Sequence, residues 1–429
     1  MISTIRENKG KSLLVAGIVL MWATLGVLFS AYGYERTWQL WNVPTEMPPF
    51  KDFRLIPGSA ESFRNGFEPT ITNPGDPNGR IFNYPFFWRL FFYTNITQDD
   101  TIWIVVAMLV LYFAGAVLFP QKITIPDALL MLLVLFSPAS MLLYERGNAD
   151  LIVFFICAMI VLAAGYSSYL TFGLILFGAV VKMFPFFGIT VLLKESRRRF
   201  YLFLAAGAVF MVAYSLLTLD SQRAAWTTTM RGDGLSYGAF VFMTRLGGYV
   251  QEILPGLLST SQWGWLFEAV ALVLILLAGI WAAREPNPLT GSHERNLAAF
   301  RMGASIYLGT FLLGNNWDYR LAFLVLVVPQ LSQWIWREKG TRRFVSVGVL
   351  IASLVSCWHL LLNVDLPFIP LKDPANRVFV FDEFVNWLMV PGFAYLLVAS
   401  FPEWLRMDMQ KFFGRANSRQ VGRSSNSSG

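Results

Sequence analysis

An all-α protein that crosses a membrane many times is the fold class this sequence predicts, and three observations predict it. Apolar residues make up 55% of the 429-residue chain and charged residues only 14%. A soluble domain carries roughly 25% charge. The apolar residues come in long unbroken runs rather than in alternation, which selects helices over a β-barrel. The mean hydropathy is +0.51. The net charge of +7 comes largely from a few short basic loops between those runs. Together these observations exclude a soluble globule, a disordered chain and a nucleic-acid-binding module.

The first apolar run, Leu13 to Tyr32, follows Arg6, Lys9 and Lys11. It has the length of a spanning helix and lacks a small-x-small cleavage pattern, so it reads as a retained first helix. Further runs follow at about 102–119, 127–143, 149–164, 169–193, 200–219, 264–283, 298–314, 320–336, 344–362 and 385–402. The run 169–193 holds Lys182 and Pro185 in its middle and has two readings. It is either one kinked span or two short helices that rise and return, each too short to cross ~30 Å of hydrocarbon.

Charge decides between them. In the hairpin reading the segments 1–12, 120–126, 194–199, 284–301, 337–343 and 403–429 face the cytoplasm and hold 20 of the 34 basic residues. In the single-span reading the cytoplasmic side holds only 10. The positive-inside rule favours the hairpin. The expectation is about 12 membrane segments, two of them short, with both termini in the cytoplasm. Residues 1–402 form one transmembrane domain with outer loops at 33–101 and 220–262. Residues 403–429 form a basic, Ser- and Asn-rich tail expected to be largely disordered.

Cys157 and Cys357 lie inside apolar runs, and His293 and His359 are far apart, so neither a disulfide framework nor a metal-ligand cluster is expected. The outer acids Asp99, Asp100, Asp365, Asp382 and Glu383 have no metal-site spacing, and His359 reads as a hydrogen-bonded core residue. No internal repeat is visible, which counts against a transporter.

The loop 33–101 is not a tether. Eight prolines stiffen it, and its dense Phe and Trp content fits a segment packed onto the membrane surface. A short helix is expected at about 57–65, with Pro57 at its first position and Ser59 and Glu61 in its first turn. Long ordered loops on a rigid scaffold are where function concentrates.

Several motifs lie in order along the chain. They are Lys51-Asp52-Phe53-Arg54, Ala60, Asn65-Gly66-Phe67-Glu68-Pro69, Asn83-Tyr84-Pro85, Arg146-Gly147-Asn148, Lys182-Met183-Phe184-Pro185, and Ser236 with Thr244-Arg245-Leu246. This order resembles glycosyltransferase family 87, transferases of the GT-C fold that use polyprenyl-phosphate sugars. The resemblance covers about 45–320. Trp317-Asp318 departs from it, because many members carry His after the Trp.

The resemblance implies transfer of one sugar, mannose or a relative, from a polyprenyl phosphate to an extracytoplasmic glycan or glycolipid. The site would face outward from a bacterial cytoplasmic membrane, with membrane lipid and the acceptor as the partners. Such chemistry needs a carboxylate to take the acceptor's proton, cations or amides for the departing phosphate, and in-line positioning. One carboxylate suffices for inversion by single displacement, and a phosphate leaving group demands neither metal nor cofactor.

Asp52 is the candidate base, with Glu61 and Glu68 as alternatives. Lys182 is the candidate phosphate contact, since an intramembrane cation marks a cavity or a ligand. The bland reading of Lys182 is a cation snorkelling from the end of a short helix. Arg245 is a candidate second phosphate contact, and Arg146 and Asn148 stand at a helix mouth. Arg80 and Tyr84 are candidates for the sugar pocket, and Asp318 with Trp317 for sugar binding at the same outer level. Trp317, Tyr319 and Arg320 equally fit an interfacial belt. A glycan polymerase or ligase and a flippase of lipid-linked sugars are the competing readings.

Overall fold

The computed structural model describes residues 8–228, 235–241, 256, 258–361 and 374–424. Almost every element is helical. Five stretches are long and apolar enough to cross a membrane: Lys9–Gln39, Gln98–Leu118, Arg197–Leu217, Ser261–Ala283 and Gly340–Leu361. The count rises to seven if each of two bent pairs forms one span. The chain is therefore an all-α, multi-span protein.

Five long helices carry much of the exposed apolar surface. They are α1 (Lys9–Gln39), α3 (Thr101–Leu118), α8 (Arg197–Leu217), α10 (Thr260–Ala283) and α13 (Gly340–Trp358). Each exposes large apolar side chains such as Val19, Val110, Val209, Leu276 and Ile351. A water-facing helix would carry polar groups there, so these faces suit lipid.

Shorter elements pack against these helices. These are α4 (Ile125–Leu135), α5 (Pro138–Arg146), α6 (Asp150–Ala163), α7 (Ser168–Val181) and α11 (Glu294–Leu312), with 3₁₀ segments at Phe184–Lys194 and Asp318–Leu326. Helix α3 packs along α6, α1 along α4, and α11 against the 184–194 segment. α12 (Val328–Arg337) and α14 (Pro374–Ala399) complete the bundle, with α14 held between α10 and α13.

The structure differs from the sequence reading at three places. First, the outer-loop helix α2 runs Lys51–Arg64, so it starts six residues early and holds Pro57 in its interior. Phe50 caps it in a left-handed conformation (φ 64°), and Asp52 sits in its first turn. Second, the run 127–143 is broken. Ser137 caps a new helix that starts at Pro138, and α4 and α5 meet at 52°. A Ser-Pro pair is a helix start signal, so apolar continuity conceals a real boundary. Third, the segment after 402 is not a loose tail throughout. Helix α15 (Glu403–Ser424) turns away from α14 by 115°. It docks through Arg406, whose Nη2 donates to the Ala283 carbonyl at 3.3 Å.

The run 169–193 rises and returns. α7 ends at Val181, and Lys182 takes extended backbone angles (φ −159°, ψ 132°). The chain then runs back as a 3₁₀ segment. The ends of the two arms meet, since Ser168 Oγ donates to Glu195 and Lys194 donates to the Ala164 carbonyl. Near the tip a Cβ on Gly178 would stand 3.0 Å from the Pro185 side chain, so the two arms are closely packed there.

Candidate active site

Most polar side chains of the site sit where a helix starts, ends or breaks; Asp76 and Arg80 come from the irregular part of the first outer loop. Gly147 ends α5 in the left-handed region (φ 57°), and an added Cβ there would meet Phe50 and Val105 at 2.9 Å. That turn delivers Asn148 and Asp150 to the mouth of α6. The break after α7 delivers Lys182. Trp88 Nε1 in the first outer loop donates to the Val181 carbonyl at 3.0 Å, which ties the aromatic loop to that break. A two-residue antiparallel pairing, Ser236 with Trp317 and Tyr237 with Asn316, presents Asp318–Arg320 at the same level.

Asn148 joins the two chief candidates. Its Nδ2 donates to Asp52 Oδ2 at 2.7 Å and to the Tyr319 hydroxyl at 3.1 Å. Its Oδ1 accepts from Lys182 Nζ at 3.2 Å. One amide thus connects the carboxylate to the cation and fixes which end of itself faces each. Asp52 keeps 23% of its side chain exposed, so an acceptor hydroxyl can approach its carboxylate.

Arg80 and Tyr84 flank Asp52. Arg80 Nη1 stands 3.7 Å from Asp52 Oδ1. Asp76, itself buried, fixes that guanidinium with contacts of 3.1 and 2.9 Å. The Tyr84 hydroxyl donates to the Asp52 backbone carbonyl at 3.3 Å. Burial, then the nearby Asp52 carboxylate, push the Tyr84 phenol well above its ordinary range, so it remains a hydrogen-bond donor.

Arg146 is bound elsewhere. It pairs with Glu46 at 3.1 Å and with buried Glu145 at 3.4 Å, and no described contact joins it to Asp52 or Lys182. Trp317 stacks on Tyr319 with ring centroids 6.5 Å apart, and so backs the ring whose hydroxyl meets Asn148. Arg245 lies outside the described residues, as does Asp365.

Asp318 faces away from this network. It is fully buried, with Oδ2 3.4 Å from His359 Nε2. His359 Nδ1 lies 2.7 Å from the Ser356 carbonyl and 3.6 Å from Asp382 Oδ1. Asp382 in turn accepts from Ser356 Oγ at 2.8 Å. Asp318, His359 and Asp382 each offer a ligand atom within 4.8 Å of the others, on elements far apart in sequence. Sequence spacing alone could not assemble this trio, and it gives His359 a charged environment that the reading of a plain core residue lacks.

Sequence reasoning also missed Asp150. It is wholly buried at the start of α6, with Oδ1 2.5 Å from Lys182 Nζ and Oδ2 3.2 Å from Arg320 Nε. Arg320, read as an interfacial residue, is therefore part of the site. An acid inside an apolar run is itself the signal that could have found Asp150.

No curated protein and no solved structure matches the chain. A family model does: glycosyltransferase family 87 matches residues 82–304, which takes in Tyr84, Asn148, Asp150 and Lys182. That match spans a little over half of the 429 residues, and the chain belongs to glycosyltransferase family 87.

Proposed function

We propose that the protein transfers one sugar, mannose or a relative, from a polyprenyl-phosphate carrier to an extracytoplasmic glycan or glycolipid. It works by inverting single displacement at the outer face of a bacterial cytoplasmic membrane. Asp52 takes the proton of the acceptor hydroxyl as that oxygen attacks the anomeric carbon. Lys182 meets the phosphate that departs on the far side of the sugar. The observation that carries this reading is the Asn148 amide, bonded at one end to Asp52 and at the other to Lys182. It holds a base and a phosphate-binding cation at a fixed separation, as in-line displacement requires.

Arg80 restrains Asp52 from one side, and the Tyr84 hydroxyl holds the backbone carbonyl of the same residue. Half-buried Trp317 offers an aromatic face of the kind that sugars pack against, and buried Tyr319 stacks behind it. A soluble nucleotide sugar does not suit an outward-facing site, because nucleotide sugars are cytoplasmic.

The test is turnover in lipid nanodiscs with a panel of polyprenyl-phosphate sugars, following free polyprenyl phosphate with and without an extracted glycan acceptor. Release that depends on one sugar, needs the acceptor and vanishes in Asp52→Asn supports the assignment. Release that is unchanged in Asp52→Asn moves the base elsewhere. Absence of release with every donor, together with donor flipping in the same discs, would replace the transferase by a flippase.

A further inference from the structure

Asp150 is a buried acid that the transfer itself does not use. Its one carboxylate is shared by two cations, Lys182 at 2.5 Å and Arg320 at 3.2 Å. Both cations lie over the ring of Phe184, at 6.0 and 5.3 Å from its centroid. Asn316 Oδ1 accepts from Arg320 and fixes the other side of the guanidinium. Lys182 and Arg320 keep 14% and 17% of their side chains exposed, whereas Asp150 keeps 0%. An anion arriving from the open side therefore meets two cations, with the carboxylate hidden behind them. The three groups together carry a net charge of +1.

We propose that Asp150 is a built-in counter-charge that limits the phosphate affinity of the Lys182–Arg320 pair, so that the product can leave. This rests on the donor reading given above. In the transfer the acceptor oxygen bonds to the anomeric carbon, and the bond from that carbon to the phosphate oxygen breaks. The electron pair stays on the phosphate, and the acceptor's proton goes to Asp52. The donor is a phosphodiester with one negative charge, which the net +1 neutralises. The product is a phosphate monoester with about −1.5 to −2 charges at pH 7. Without Asp150 the pair would offer +2, which matches the product, and product release would limit turnover.

A merely structural Asp150 predicts the opposite sign. If it only held Lys182 and Arg320 in place, losing it would weaken the binding of every phosphate. The test uses the full-length protein in nanodiscs, with direct binding of a short-chain polyprenyl monophosphate. Single-turnover and steady-state rates are measured on the same samples.

Asp150→Asn keeps the shape and removes the charge. It is expected to bind the monophosphate at least about tenfold more tightly, given the strength of an added unit charge at this range. Its kcat is expected to fall while single-turnover transfer persists. The double variant Asp150→Asn/Arg320→Gln restores the net +1 and is expected to return affinity and kcat toward wild type. Weaker monophosphate binding in Asp150→Asn at unchanged Tm would overturn the proposal, and so would failure of the double variant to reverse the single one. If Asp150→Asn does not fold, Arg320→Gln alone is informative, with monophosphate binding weakened at least about tenfold. Unchanged affinity there would overturn the proposal as well. Wild type that binds no polyprenyl phosphate at all removes the donor reading and this inference with it. A wrong sign in the variants removes this inference only.

Discussion

Asn148 uses both ends of one amide, which makes it more informative than either residue it touches. Asp52→Asn removes the proposed base and leaves the cations in place, so turnover should vanish while the donor dissociation constant changes little. Lys182→Met removes the proposed phosphate contact, so donor affinity should fall, and normal affinity in that variant would refute the role. Asn148→Leu loses its hold on both at once. Its kcat should drop and its donor KM should rise together, and a change confined to one parameter would break the proposed link between base and cation. The sequence singles out Asp52, Tyr84, Asn148 and Lys182 as candidates because short motifs carry them in order, and the structure brings them together with Arg80, which stands in no motif. Asp150 and Arg320 are not among those candidates. An acid inside an apolar run marks Asp150, but its pairing with Arg320 spans 170 positions and no local pattern encodes it.

The elements that carry these residues work by stopping. α5 stops at Gly147, α7 stops before Lys182, and α13 stops at His359. The long spans were readable from hydropathy alone, whereas the Ser137-Pro138 break was hidden inside one apolar run. Gly147→Ala tests the first stop. It forces a side chain into a left-handed turn (φ 57°) against Phe50 and Val105 at 2.9 Å. A loss of roughly 1–3 kcal/mol is expected, read as a drop in Tm, with activity lost alongside because Asn148 moves. His359→Leu tests the last stop. It leaves Asp318 and Asp382 facing each other in a buried cluster without the imidazole between them. Removing one partner of a buried ionic group costs about 3–5 kcal/mol, so this variant should lose more than Gly147→Ala. A smaller loss than in Gly147→Ala would mean that the two acids are neutral in the folded protein and do not need His359.

At the scale of the whole molecule, the returning hairpin sets which side of the membrane each loop occupies. Charge counts demand that the chain turn back near Lys182; α7 breaks there, and the contacts of Ser168 with Glu195 and of Lys194 with Ala164 bring the ends of the two arms together. The sidedness follows if the basic loops face the cytoplasm, where 20 of the 34 cations then gather. The basic start of α8 around Arg198 would lie inside, and the loop around Asn78, close to Arg80, would lie outside with the site. Introduced cysteines can test this cleanly, because both native cysteines are buried and will not react. A membrane-impermeant maleimide applied to intact cells should label Asn78→Cys and should spare Arg198→Cys until the membrane is opened. Labelling of Arg198→Cys from outside would put the basic loops on the wrong face. Asp52 would then meet cytoplasmic acceptors, and the lipid-phosphate donor would lose its main argument over a nucleotide sugar.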